Sequence, residues 1–167
     1  RTLIDVKGKS IVVFGAGGAA RAITVEAALA GARRIVIVNR GKARGDELTE
    51  LINAKTPAKA EFVLWDKTYR ASDDDVFVNA TSIGLYPDVE GRVDADLSAV
   101  KRDAVVADVI PNPPRTLFLR DAAARGLRTL DGLGMLVNQG VVSIRHWFGV
   151  DVEASVMRRT LEDLFGA

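Results

Sequence analysis

Three small residues, Gly15, Gly17 and Ala20, follow the apolar run Ser10–Gly15 (SIVVFG) in the spacing G-x-G-x-x-A. The spacing suits a diphosphate. The first glycine permits a tight turn out of a strand, the second lets an anion approach the backbone, and a small third residue lets the next helix pack closely. The N-terminus of that helix offers unpaired N–H groups and the positive end of its dipole. Gly15, Ala16, Gly17, Gly18, Ala19 and Ala20 are therefore the expected diphosphate cradle. The glycine spacing alone is a weak signal. Here an apolar strand precedes it, an alanine-rich helix follows, and a second apolar run, Arg34–Asn39 (RIVIVN), closes the unit. That context makes it a dinucleotide site rather than a bare turn.

The end of the second run discriminates between dinucleotides. An Asp or Glu there, roughly 20 residues past the glycines, would hold a free ribose 2′-hydroxyl. This chain instead reads Asn39, Arg40, Gly41, Lys42, Ala43, Arg44, with no carboxylate before Asp46. A carboxylate would repel a 2′-phosphate, whereas a guanidinium clasps one with paired charge-assisted bonds. Each such bond contributes about 1.5–3 kcal/mol. NADP is thus the expected cofactor, with NAD accommodated less well.

Composition removes several other chemistries. The 167 residues contain no cysteine and one histidine, His146, so thiolate metal sites, disulfides and a Ser-His triad are not expected. The formal charge of +1, with 27% charged residues, gives no footprint for nucleic acid. Ile11–Ala32 is apolar enough to imitate a membrane span, but Arg21 and Glu26 lie within it. A bilayer would penalise such charged residues by roughly 2.5–3.5 kcal/mol each. With no secretory leader in view, the chain is expected in the cytoplasm, with neither a membrane nor a nucleic acid as partner.

The positioning elements alternate. Apolar runs Glu61–Trp65, Asp75–Ala80, Ala104–Val109 and Leu127–Asp131 continue the strand series. Helical patterns fall near Ala19–Ala30, Ala43–Ala54, Thr116–Arg125, Met135–Phe148 and Val152–Phe165, and a Gly/Pro/Asp-rich loop spans Ile83–Asp96. Strands alternating with helices predict an α/β fold of the Rossmann type: a doubly wound, mostly parallel sheet of about six strands between two helical layers. One domain fits the length. Trp65 and Trp147 read as core or interface, and His146, beside Trp147 and Phe148, as a packed residue.

Four segments together resemble the NADP-binding half of the shikimate and quinate dehydrogenase family: GAGGAARA at Gly15–Ala22, NRGKAR at Asn39–Arg44, NATSIG at Asn79–Gly84 and DGLGMLVNQG at Asp131–Gly140. The similarity runs from about Lys7 to Leu164, and the last segment is the narrowest signature. The resemblance implies that Asn39, Arg40 and Arg44 bind the adenosine ribose and its 2′-phosphate. It places Thr81 and Ser82 along the cofactor edge and Val109 beside the nicotinamide. Gly132 and Met135 would shape the nicotinamide pocket, and Gln139, one helical turn beyond Met135, would hydrogen-bond a polyol substrate of the shikimate or quinate kind.

The chain departs from the family at two points. Gly41 stands where a hydroxyl residue usually follows the Asn-Arg pair, and Pro111 where a tyrosine is common near the substrate. The resemblance also places a catalytic lysine–aspartate pair in a separate N-terminal domain, for which no matching segment is found here. No catalytic residue and no metal ligand is assigned to this chain. By itself it is expected to bind NADP(H) without turning over substrate, and to self-associate through the apolar side of its last helix.

Overall fold

The computed structural model describes residues 4–166. In chain order its elements are β1 (Ser10–Phe14), α1 (Gly18–Leu29), β2 (Arg34–Asn39), α2 (Lys42–Lys55), β3 (Lys59–Leu64), β4 (Tyr69–Arg70), β5 (Val76–Asn79), β6 (Ala95–Asp96), β7 (Val105–Asp108), α3 (Leu117–Ala124), β8 (Arg128–Leu130), α4 (Leu133–Phe148) and α5 (Ala154–Phe165). Six strands pair in parallel in the order β3-β2-β1-β5-β7-β8. The chain winds outward from β1 to β3, then returns to lay β5 on the other side of β1. The strand order therefore reverses between β1 and β5, and in open α/β sheets ligands bind beyond the carboxyl ends of strands at such a point.

Register sets the level of that edge. Phe14 pairs with Val38 and Asn79, Asn39 with Leu64, and Asn79 with Asp108. Asn39, Asn79 and Asp108 thus close three strands along one rim. The apolar runs are continuous because both sheet faces are covered. Val12, Phe14, Val36, Val38, Phe77 and Val106 pack with Trp65 and with Phe118 and Leu119 of α3. Ile11, Val13, Ile35, Ile37, Val76 and Val78 cluster with Ala20 and Ala27 of α1 and Leu48 and Ile52 of α2.

The structure refines the sequence reading in a few places. The Ile83–Asp96 loop ends in β6, which pairs in parallel with β4 as a separate two-stranded sheet. Two-residue strands carry no periodic signal. Thr116 is the N-cap of α3 rather than its first residue, accepting from the Leu119 N–H at 3.4 Å. His146 is exposed in the last turn of α4, not packed, and Trp147 beside it is 76% exposed. Trp65 is buried, as a core residue. Among the described residues no helix is long and apolar enough to cross a membrane.

Candidate functional site

The turn after β1 is built from backbone. Gly15 has φ +110°, and a Cβ there would lie 2.8 Å from the Ala80 carbonyl oxygen, so both conformation and space demand glycine. Gly17 and Gly18 differ: nothing lies within 4 Å of a Cβ built on either. They face open space at the start of α1, where no side chain caps the helix and no acidic residue sits in the first turn. The first N–H groups of α1 are therefore available to an anion. Ala20 is fully buried, bringing the helix onto the sheet, while Ala16 and Ala19 are half-buried.

At the end of β2 the Asn39 side chain donates to the Gly41 carbonyl at 2.8 Å and shapes the turn into α2. The α2 N-terminus also lacks a side-chain cap and a first-turn acid. Lys42 is engaged with Asp46, four residues on. Arg40 and Arg44 make no ion pair among the described residues, and the Arg44 Nε lies 4.0 Å from a Cβ built on Gly41. Two unpaired guanidiniums thus flank an uncapped helix start, a geometry suited to a phosphate monoester.

A hydrogen-bond network joins the ends of β5 and β7. The Asn79 amide donates to both Asp108 carboxylate oxygens, at 3.2 and 3.1 Å, and to the Ile83 carbonyl at 3.2 Å. Its carbonyl oxygen accepts from the Thr81 N–H at 3.1 Å and hydroxyl at 2.6 Å. Asp108 also accepts from the Thr116 hydroxyl at 2.8 Å and the Ile110 N–H at 3.0 Å. Burial raises the Asp108 pKa, while the bonds from Ile110, Asn79 and Thr116 oppose the rise. The Thr81 hydroxyl is committed to its own loop, also accepting from the Ile83 N–H, and its methyl lies 3.2 Å from a Cβ built on Gly15. Ser82 remains exposed on the rim. The network thus braces the β5 loop against the glycine turn.

The final segment meets the same rim. A Cβ on Gly132 would lie 2.4 Å from the Ile110 carbonyl oxygen and 2.5 Å from that of Val109, so the start of α4 rests directly on the β7 loop. Asp131 accepts from the Leu133 N–H at 3.1 Å and pairs with Arg158 of α5 through both guanidinium nitrogens, at 3.2 and 2.6 Å. Val109, Met135 and Gln139 line one groove of about 1030 Å³ between α1 and α4. Met135, 37% exposed, is a groove wall rather than core filler. The structure thus gathers the Gly15–Ala20 turn, the β5 and β7 loops and the start of α4 along one edge, with Arg40 and Arg44 at its β2 end. Asp108, Thr116 and Arg158 escaped the sequence reading as site-organising residues. Their partners lie 8 to 29 positions away, beyond any local pattern.

A lysine–aspartate pair does exist in this chain, at the opposite edge. Lys101 donates to Asp75 at 2.7 Å, and Asp75 also accepts from the Ser10 N–H at 2.8 Å and hydroxyl at 3.1 Å. Burial alone would raise the Asp75 pKa; the Lys101 and Ser10 hydrogen bonds outweigh it and lower the pKa to about 2. The pair locks the starts of β1 and β5 together.

Sheet order and an uncapped α1, with two arginines that make no ion pair among the described residues, give the architecture of a Rossmann-like α/β domain. A family profile described as "Shikimate 5'-dehydrogenase C-terminal domain" matches residues 132–162. The shikimate dehydrogenase (NADP(+)) of Methanococcus aeolicus is 34% identical over 160 residues, covering 96% of this chain and 57% of that protein. A crystal structure of shikimate 5-dehydrogenase from Listeria monocytogenes, in complex with shikimate and NAD, superposes with a TM-score of 0.83 at 30% identity, over 94% of this chain and 57% of that one. The ligand-free 5-ketofructose reductase of Gluconobacter sp. strain CHM43 superposes with a TM-score of 0.88 at 48% identity, over 98% of this chain and 59% of that one. These matches support the shikimate dehydrogenase family for this chain, with the profile of that family's C-terminal domain falling on residues 132–162. It spans little more than half the length of these relatives.

Proposed function

We propose that this chain is the NADP(H)-binding domain of an oxidoreductase that moves a hydride between the cofactor and a ring carbon of a shikimate- or quinate-like polyol. The observation that carries the reading is the pairing of two uncapped helix starts with two unpaired arginines where an NAD site would hold a carboxylate. Residues Gly15 to Ala20 take the diphosphate on backbone N–H groups, and Arg40 and Arg44 take the 2′-phosphate beside Asn39. Thr81 and Ser82 edge the cofactor. Val109, Gly132 and Met135 form the wall for the nicotinamide, which supplies or accepts the hydride when bound. Gln139 presents its amide to a substrate hydroxyl. The proton-transferring pair comes from the part of the whole protein beyond this chain, so the domain alone binds cofactor without turnover. Reduction of NADP+ by shikimate with the 167-residue chain alone would overturn that division of labour.

A second substrate is favoured by one observation: identity to the 5-ketofructose reductase, 48%, exceeds the 34% to the Methanococcus enzyme. Pro111, where the family commonly has tyrosine near the substrate, fits an altered substrate site. A polyhydroxy ketone takes a hydride at its carbonyl carbon and a proton at its oxygen, the same chemistry in the reducing direction. Initial rates of the whole protein with shikimate plus NADP+ and with 5-ketofructose plus NADPH separate the two. The reading also includes self-association through the α4–α5 surface, where Trp147, Phe148, Val156 and Leu164 are exposed. Sedimentation as a monomer at high concentration contradicts it.

A further inference from the structure

Arg40 is an exposed, flexible side chain that must meet a phosphate at a defined point, and no carboxylate among the described residues holds it. A ring face does. The Arg40 guanidinium carbon lies 5.5 Å from the centroid of Trp65. Trp65 is itself fixed on three sides. Its N–H donates to the Asn39 carbonyl at 3.0 Å, joining the residue that follows β3 to the one before Arg40. Its indole Nε1 donates to the Asp94 carbonyl at 3.1 Å, on the chain just before β6. Its ring packs against Phe14, centroids 5.3 Å apart, at the end of β1. Only 8% of the residue is exposed. Lys42, the neighbouring cation, is already engaged with Asp46.

We propose that Trp65 is a positioning residue for the cofactor's 2′-phosphate: its buried indole holds the Arg40 guanidinium over the rim and thereby sets the preference for NADPH over NADH. The inference rests on the reading that Arg40 grips the 2′-phosphate. A cation on a ring face keeps its charge and its outward N–H groups free, whereas a carboxylate partner would compete with the incoming phosphate. The small β4–β6 sheet acquires a purpose in this arrangement, because the segment leading into β6 supplies the carbonyl that locks the indole.

The test is a double-mutant cycle on the 167-residue chain, with NADPH and NADH affinities measured by isothermal titration and folding by circular dichroism. Trp65→Leu removes the ring, and NADPH affinity falls about three- to tenfold, the size of ordering one long side chain. NADH affinity stays within about twofold. Trp65→Phe keeps a ring and retains most of the discrimination. In an Arg40→Ala background Trp65→Leu produces no further selective loss. A purely structural role would lower both affinities together and leave their ratio unchanged, and that outcome overturns the proposal. So does full additivity of the two substitutions. Should the leucine variant not fold, Trp65→Met, unbranched and longer, carries the same comparison. Equal losses of NADPH and NADH in Arg40→Ala would instead sink the reading of Arg40 itself. A selective Arg40→Ala loss beside a neutral Trp65→Leu refutes only the role of the tryptophan.

Discussion

Gly15 and Gly17 stand two residues apart, yet the structure predicts opposite consequences for replacing them with alanine. At Gly15 the backbone φ of +110° is one that side-chain-bearing residues rarely adopt, and the new methyl would start 2.8 Å from a backbone oxygen of Ala80. The conformation costs about 1–3 kcal/mol and the overpacking about as much again. Ala80 cannot yield easily, because Asn79 before it and Thr81 after it belong to the Asp108 network. A loss of about 3 kcal/mol or more lowers the melting temperature of a domain this size by roughly 6 °C or more. At Gly17 the φ of −87° suits any residue, and nothing lies within 4 Å of the added methyl. Stability should therefore hold within about 0.5 kcal/mol. The methyl would instead project over the α1 N-terminus, where the diphosphate is expected. Overpacking of about 1–3 kcal/mol there weakens NADPH binding roughly five- to 150-fold. Thermal unfolding and calorimetric titration of both variants read the two effects separately. A Gly17→Ala protein that melts normally and binds NADPH as tightly as the parent would refute the reasoning, because the open space above that glycine would then not be the diphosphate's.

Two further outcomes follow from the networks. Asp75 has its pKa lowered from 3.8 to about 2, so its contribution is present above the unfolded value and is lost as pH falls from about 4 through about 2. Undiscounted, the shift corresponds to on the order of 2 kcal/mol, and solvent screening of this water-accessible carboxylate brings its contribution to about 1 kcal/mol. Urea midpoints measured from pH 5 to pH 2.5 should fall accordingly, and Lys101→Met should flatten much of that slope; an unchanged slope contradicts the assignment. Asp108→Asn would set an amide N–H₂ against that of Asn79, costing about 1–3 kcal/mol by leaving buried donors unpaired. The exchange Asn79→Asp with Asp108→Asn restores a complementary pair and should recover much of the loss in thermal unfolding, whereas simple addition of the two single losses would mean that the pair is not the operative contact.

The sequence displays what repeats locally. Buried parallel strands read as unbroken apolar runs because both faces of Val12–Phe14 and Val36–Val38 are covered, and β1, β2, β5 and β7 were legible for that reason. The glycine turn is legible because a tight turn at Gly15 and a closely seated helix at Ala20 need small residues at a fixed spacing. Other features follow from tertiary approach. Gly45 looks like a weak point inside α2, but a Cβ there would lie 2.2 Å from the Phe62 ring, so the helix needs glycine to seat on β3. Asp108 could be read as capping the next turn, which it does through the Ile110 N–H; its hold on Asn79 and Thr116 appears only once β5 and β7 are adjacent. The cradle of Arg40 on Trp65 is 25 residues wide in sequence and depends on β3 lying beside β2. Neighbouring aromatics suggest packing for His146, but the end of α4 leaves His146, Trp147 and Phe148 all exposed.

The most direct measurement is a crystal structure of the chain grown with NADP+. The account predicts diphosphate oxygens within about 2.7–3.2 Å of backbone nitrogens at the start of α1, with the 2′-phosphate held by Arg40, Arg44 or both. A cofactor bound elsewhere, or one whose 2′-phosphate points away from both arginines into solvent, contradicts it.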